Sequence, residues 1–213
     1  MKKLLVILIL FLISSMLFAS GYIGIKTGPT MTFGNYYSGT VASGNNSISS
    51  SLNQDFQDYY WDLGISGVHF FDDNRNHHMG LGYGFDFGFK MAGSENAIKE
   101  NGHIDVIYVP YLGFAYQYEV NDLVAIDTQI GLGVQLGGNS QAQSGTTAIF
   151  HSVLAYVNAA ASITPIDKLA IKAGLELGVP FYHGLSGTDI DISTCGWIGG
   201  VSIKPYLGLA YEY

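Results

Sequence analysis

Hydrophobic and polar residues alternate along most of the chain after residue 20. Between Met79 and Met91 every second residue is apolar or aromatic, and the residues between them are glycines, Asp86 and Lys90. A period of two is typical of β-strands, in which successive side chains point to opposite faces. No segment after residue 20 has the 3.6-residue period of an amphipathic helix. The pattern predicts an all-β protein.

Eight segments carry this alternation, and the gaps between them are alternately long and short. The predicted strands are 21–34, 57–71, 79–91, 104–119, 123–137, 150–164, 169–181 and 197–213. The long gaps are rich in Ser, Gly, Asn and Thr, and they are 35–56, 92–103, 138–149 and 182–196. The short gaps, 72–78, 120–122 and 165–168, contain turn-forming residues. This order predicts an antiparallel up-and-down meander with all long loops at one end.

Every charged residue within these segments falls on the face opposite the apolar residues. These residues are Lys26, Asp58, Asp62, Asp86, Lys90, Asp105, Glu119, Asp127, Lys172, Glu176, Lys204 and Glu212. An eight-stranded barrel has an interior just large enough for side chains, so the aromatic-rich apolar face is too bulky to lie inside. The face with glycine and charge is expected inside and the aromatic face in lipid, where strands must close without edges. The sequence predicts an eight-stranded antiparallel up-and-down transmembrane β-barrel.

The charges on the inward face predict a buried network of ion pairs. The expected members are Lys26, Asp58, Asp62, Asp86, Lys90, Asp105, Asp127, Lys172, Glu176 and Lys204. Pairing inside the barrel avoids the cost of isolated buried charges. We expect the network to plug the lumen, because eight strands leave little space. The excess of carboxylates keeps a second interpretation open, a narrow passage that prefers cations.

Aromatic residues on the apolar face lie at two heights. Trp61, Phe89 and Trp197 lie near the long-loop ends of their strands, and Tyr116 and Tyr118 lie near the short-turn ends. Such rings favour the two interfaces of a bilayer. The positions predict two aromatic girdles.

The first 20 residues have the layout of a secretory signal peptide. Lys2 and Lys3 precede an apolar run from Leu4 to Leu12, and small residues follow up to Ser20. We expect a signal peptide at 1–20 and a barrel at 21–213. The leader holds two of the nine basic residues and none of the 17 acidic ones, so the remainder has a net charge of −10. This charge argues against nucleic acid as a partner.

The last strand ends in PYLGLAYEY, and PYLGFAYQY occurs at 110–118. Leu207, Leu209, Tyr211 and Tyr213 lie on its apolar face. This ending resembles the C-terminal signal of bacterial outer-membrane barrels, and the whole pattern resembles the small eight-stranded OmpA, OmpX and OmpW type. The resemblance implies insertion by the barrel-insertion machinery, with these four residues as the signal that it reads.

The repeated phrase also predicts local geometry. Tyr111 and Tyr206 are expected to point inward, each over a glycine of a neighbouring strand. Pro110 and Pro205 each remove a ladder hydrogen bond, so we expect a bulge at each.

No residue pattern points to a catalytic, cofactor or metal site. His69, His77 and His78 are expected to be solvated or interfacial. His103, His151 and His183 fall near the long-loop end, but their spacing matches no metal or nucleophile motif, even with Ser186 or Asp189 nearby. The single Cys195 cannot form an internal disulfide.

The prediction is a monomeric, non-enzymatic barrel of the bacterial outer membrane. We expect the barrel to be surrounded by outer-membrane lipid. Its role is structural, or it binds an extracellular ligand through its four long loops. One alternative is a narrow channel for small hydrophobic or cationic solutes. A second is a lipid-modifying enzyme at the long-loop end, as in some outer-membrane barrels.

Overall fold

The computed structural model describes residues 20–36, 40–43, 46–49, 54–71, 76–93, 106–138, 148–187 and 198–213. The strands are β1 (Gly21–Tyr36), β2 (Thr40–Ser43), β3 (Asn46–Ser49), β4 (Gln54–Phe70), β5 (His77–Gly93), β6 (Val106–Asn121), β7 (Val124–Gly138), β8 (Ala148–Ile166), β9 (Leu169–Gly187) and β10 (Ile198–Glu212). Within these ranges, no helix has the length and hydrophobicity needed to span a membrane.

Eight of the strands form a closed antiparallel barrel in the order β1-β10-β9-β8-β7-β6-β5-β4. Each strand of the barrel pairs with the next barrel strand along the chain, so that β1 pairs with β4, and β1 also pairs with β10 to close the cylinder. The strands β2 and β3 form a separate hairpin between β1 and β4. The predicted fold class is confirmed.

Several strands are longer than the alternation predicted, and the hairpin within 35–56 was not predicted. The largest difference is in β9, which was expected to end at 181 and runs to Gly187. It stays paired with β8 along its length, and Gly187 lies opposite Ala148. Beyond Phe181 the residues are mostly small or polar, so the period of two is lost although backbone pairing continues.

The two faces of the barrel are oriented as expected. On β1, Ile25 is 63% exposed on the outer surface, whereas its neighbour Lys26 is 3% exposed in the interior. The same alternation holds on β4, where Leu63 is exposed and Asp62 is buried. Charge and glycine therefore occupy the interior.

The expected bulges at Pro110 and Pro205 are wrong. Pro110 pairs with Phe85, and Pro205 pairs with Leu175, without any change of register. Each proline instead interrupts the pairing with the strand on its other side. Pro110 interrupts the pairing of β6 with β7, and Pro205 interrupts the pairing of β10 with β1. A proline lacks an N–H, and here the ladder loses contacts at that point without gaining an extra residue.

Both tyrosines of the repeated phrase point inward and are buried. The ring of Tyr111 covers Gly84, and the ring of Tyr206 covers Gly174. A side chain at either glycine would overlap the ring that faces it. The expected packing of rings over glycine is confirmed.

Candidate functional site in the barrel interior

A cluster of five charged side chains crosses the middle of the barrel. This central network consists of Lys26 of β1, Asp62 of β4, Asp86 of β5, Glu176 of β9 and Lys204 of β10. The Nζ of Lys204 lies 2.6 Å from Asp86 Oδ2, 3.2 Å from Glu176 Oε2 and 3.5 Å from Asp62 Oδ2. The Nζ of Lys26 lies 3.2 Å from Asp86 Oδ2 and also pairs with Glu176. All five side chains are almost completely buried.

Neutral side chains add two hydrogen bonds and two ring contacts to this network. Thr30 donates to Asp62 Oδ2 at 2.6 Å, and the Tyr156 hydroxyl donates to Glu176 Oε1 at 3.0 Å. The ammonium group of Lys26 lies 4.6 Å from the ring centroid of Tyr111 and 5.4 Å from that of Tyr206. Such contacts compensate part of the desolvation of buried charge.

The geometry predicts a rigid arrangement. Breaking a buried ion pair by removing one partner costs about 3–5 kcal/mol, because the other charge is left without compensation. Each member of the central network has at least one partner of opposite charge. The side chains therefore favour a single position across the lumen.

Two further ion pairs lie at other heights. Lys172 Nζ is 2.9 Å from Asp127 Oδ2, and Gln117 donates to Asp127 Oδ1 at 2.8 Å. Lys90 Nζ is 2.8 Å from Asp58 Oδ1. The network of ion pairs expected from the sequence is thus divided into three separate groups. The stagger of the strands places the charges at different heights in the barrel. Asp105, the remaining predicted member, lies outside the described residues.

Aromatic side chains and a histidine line the interior at the short-turn end. The Lys172 ammonium lies 3.0 Å above the ring of Tyr22, and the rings of Tyr22 and Phe70 meet edge to face at 6.3 Å. The ring of His78 lies 5.2 Å from that of Phe70, and its Nε2 lies 3.2 Å from Glu119 Oε1.

The sequence reasoning missed the position of His78. The sequence predicts a short turn and a solvated or interfacial role for this residue, but it belongs to β5 and is 7% exposed. The sequence does contain the information for this position. His78 is an even number of residues away from Gly80 and Asp86 on the same strand, and both of these residues point inward. His69 is buried as well, and His77 is exposed.

Little space remains at the height of the central network. The cavity there has a volume of about 40 Å³, roughly enough for a few water molecules. Its walls include Thr30, Asp62, Tyr111, Glu176 and Lys204. A wider cavity of about 420 Å³ opens at the short-turn end, where Tyr22, His78 and Glu212 line it.

The predicted girdle residues that the structure describes lie on the outer surface. Trp61 and Phe89 are paired neighbours on β4 and β5 and are 46% and 44% exposed. At the other end, the ring of His77 lies 5.0 Å from Tyr118, and its Nδ1 lies 2.6 Å from the hydroxyl of Tyr116. Trp197 lies outside the described residues.

The predicted insertion-signal residues are also exposed on the outer surface. Leu207, Leu209 and Tyr211 point outward on β10, and Tyr213 follows the strand. The Tyr213 amide donates to the Gly21 carbonyl at 3.0 Å, which joins the two ends of the barrel wall.

Most of the residues near the long-loop end that could belong to a catalytic or metal site lie outside the described part of the chain. This holds for His103, Asp189 and Cys195, and the side chains of His183 and Ser186 are not described. The His151 ring lies 6.3 Å from that of Tyr182. Among the described residues, no group of three or more His, Cys, Asp or Glu is arranged to hold a metal ion.

Comparisons with known proteins find similarity in structure and not in sequence. No protein-family model matches the chain, and no curated protein sequence matches it. The barrel is similar to Neisserial surface protein A, with a TM-score of 0.51 and 10% identity over 91% of this chain and 97% of that protein. It is equally similar to the outer membrane protein OprG of Pseudomonas aeruginosa, with a TM-score of 0.51 and 10% identity over 92% and 97% of the two chains.

A third similar structure is Ail, the attachment invasion locus protein of Yersinia pestis, in complex with a heparin analogue. Its TM-score is 0.45 at 14% identity, over 91% of this chain and 99% of Ail. The strand count, the closed antiparallel order and the similarity to Neisserial surface protein A and OprG agree with the resemblance noted in the sequence. The chain has the fold of the small eight-stranded outer-membrane β-barrels.

Proposed function

We propose that this protein is a sealed, non-enzymatic β-barrel of the bacterial outer membrane that supports the envelope and carries binding loops on the cell surface. The observation that carries the proposal is the central network, in which five buried charges from five strands meet across the lumen. A lumen filled in this way favours a structural or binding role over transport.

The composition of the outer surface supports a membrane location. Large apolar residues are exposed on every strand of the barrel, including Ile25, Leu63, Phe85, Leu112, Ile130, Val157, Ile171 and Leu209. A protein in water rarely exposes such a continuous apolar surface. A bilayer covers this surface, and the closed strand order leaves no strand as a free edge of the sheet in hydrocarbon.

Export and insertion complete the proposal. Residues 1–20 act as a cleaved signal peptide, and the barrel-insertion machinery reads Leu207, Leu209, Tyr211 and Tyr213. The inserted barrel is a monomer, and an extracellular ligand binds at the loops around 35–56, 92–103, 138–149 and 182–196.

Planar-bilayer recording on the refolded mature protein tests the sealed barrel. We expect no steady single-channel conductance, because ion pairs and rings fill the lumen. A steady conductance whose ionic preference changes in Asp62→Asn or Asp86→Asn would overturn the proposal in favour of a cation-preferring channel. Uptake of small apolar solutes by liposomes that contain the barrel tests the hydrophobic-solute channel in the same way.

Lipid analysis tests the non-enzymatic part of the proposal. Overexpression is expected to leave lipid A and phospholipid unchanged. A modified lipid that disappears in His103→Ala or His183→Ala would show an enzyme at the long-loop end.

A further inference from the structure

The contact that closes the barrel is interrupted near its middle. Strands β1 and β10 pair from Tyr22 to Thr27 and again from Met31 to Tyr36. The backbone of both strands is described throughout, and in it no pairing joins Gly28–Thr30 to Lys204–Tyr206. We name these two three-residue segments the seam.

Two prolines explain the interruption. The register is the same on both sides of the seam, with Thr27 opposite Leu207 and Met31 opposite Ile203. Pro29 therefore lies opposite Pro205, and neither residue has an N–H to donate. Each proline still pairs with its other neighbour, Pro29 with Trp61 and Pro205 with Leu175. The lapse at these two prolines is confined to the contact between the first and last strands, and the similar lapse beside Pro110 lies between β6 and β7.

The central network lies at the height of the seam. Thr30 and Lys204 are opposite each other across it and both point inward, and Lys26 is the next charged inward residue of β1. The side chains that leave β1 and β10 at this height thus meet inside the barrel.

Each carboxylate of the network contacts one group from β1 and one from β10. Asp86 pairs with Lys26 and with Lys204, at 3.2 and 2.6 Å. Glu176 pairs with the same two lysines. Asp62 accepts a hydrogen bond from Thr30 at 2.6 Å and pairs with Lys204 at 3.5 Å. Three carboxylates from β4, β5 and β9 therefore link β1 to β10 where the backbone does not.

We propose that the central network holds the barrel closed at the seam, in place of the missing backbone pairs. The seam is the contact that opens first when the network is disturbed, and it does so whether or not the lumen conducts ions.

Two other ion pairs lie away from the seam, and one of them, Lys90 with Asp58, provides a matched control. Lys90 and Asp58 lie on the adjacent strands β5 and β4, and Lys172 and Asp127 lie on β9 and β7. Neither pair includes a residue of β1 or β10. Lys90→Met therefore removes one lysine from an interior ion pair, as Lys204→Met does, but leaves the seam contacts in place.

Hydrogen–deuterium exchange with mass spectrometry on the refolded mature protein in micelles tests the proposal. In Lys204→Met, we expect exchange to accelerate about tenfold or more in peptides over 21–36 and 198–212, and much less in peptides over β7 and β8, since local opening exposes only the amides it frees. In Lys90→Met, the β1 and β10 peptides are expected to exchange as in the unchanged protein. Uniform acceleration over all strands in Lys204→Met, or equal effects of the two variants on β10, would overturn the proposal.

A second variant keeps the test decisive if Lys204→Met does not fold. Pro29→Val with Pro205→Val adds two N–H groups at outward positions that suit a β-branched side chain. We expect slower exchange in the peptides that contain the seam and no change in β7 and β8. Unchanged exchange at the seam would show that the prolines do not weaken this contact, and the proposal would be wrong.

Discussion

At the scale of single residues, glycine makes room for the interior carboxylates. Asp62 lies opposite Gly88 across the β4–β5 ladder, and Asp86 lies opposite Gly64. A methyl group on either glycine would overlap a carboxylate oxygen. The glycines of the inward face thus decide where the carboxylates can lie and, through them, where the lysines can pair.

Gly88→Ala is therefore expected to destabilise the barrel by about 1–3 kcal/mol, because the added methyl displaces Asp62 from its partners. Urea unfolding of the protein in lipid vesicles measures the change. The control is Gly178→Ala, since a methyl there meets Leu154 and Ser202 at an ordinary contact distance of 3.5 Å. Equal unfolding free energies for the two variants would contradict this explanation.

The parity of single residues could be predicted, but their partners could not. Alternation alone placed Lys26, Asp62 and Glu176 in the interior. It could not predict that Lys26 pairs with Glu176, 150 residues away, because that contact depends on the stagger of non-adjacent strands. For His78 the inward position itself was missed. The alternation along β5 indicates that it points inward, but the turn-forming residues just before it led to its assignment to the turn.

At the scale of elements, strand existence followed from the pattern and strand ends did not. The period of two comes from a face in contact with an apolar environment, so it disappears where a paired strand leaves that environment. This explains why β9 continues to Gly187, beyond the end of its regular alternation at Phe181. The effect of the prolines also could not be predicted. The sequence identifies a missing hydrogen-bond donor, but it does not determine whether the strand forms a bulge or loses pairs at that point.

The last strand carries a prediction about insertion. If Leu207, Leu209, Tyr211 and Tyr213 form the insertion signal that we propose, Tyr213→Ala is expected to lower the amount of barrel inserted in the outer membrane several-fold. Tyr118→Ala is the matched control, since Tyr118 ends the similar phrase on β6 and is also exposed at the short-turn end. Heat-modifiable mobility on gels of membrane fractions measures the folded barrel. An equal loss in both variants would indicate general destabilisation and no special role for the last residue.

At the scale of the whole molecule, the barrel has two environments separated by a single layer of backbone. Outside are the exposed apolar and aromatic residues, and inside are three groups of ion pairs and the rings between them. A protein in water has its apolar residues inside and its charges outside, whereas this barrel has the opposite arrangement. The distribution of charge along the sequence was enough to predict it. Sequence could not predict how completely the interior is filled, because that depends on which side chains meet.

The most direct test of the central claim is site-directed spin labelling along β8 in vesicles, with Cys195 replaced by serine. Labels at Val157, Ala159 and Ala161 point outward and are expected to collide readily with oxygen dissolved in the bilayer. Labels at Asn158 and Ala160 point into the filled interior and are expected to be shielded from oxygen and from a water-soluble nickel complex. Access of the nickel complex to Asn158 and Ala160, or the opposite alternation, would show a water-filled or inverted barrel and contradict the account.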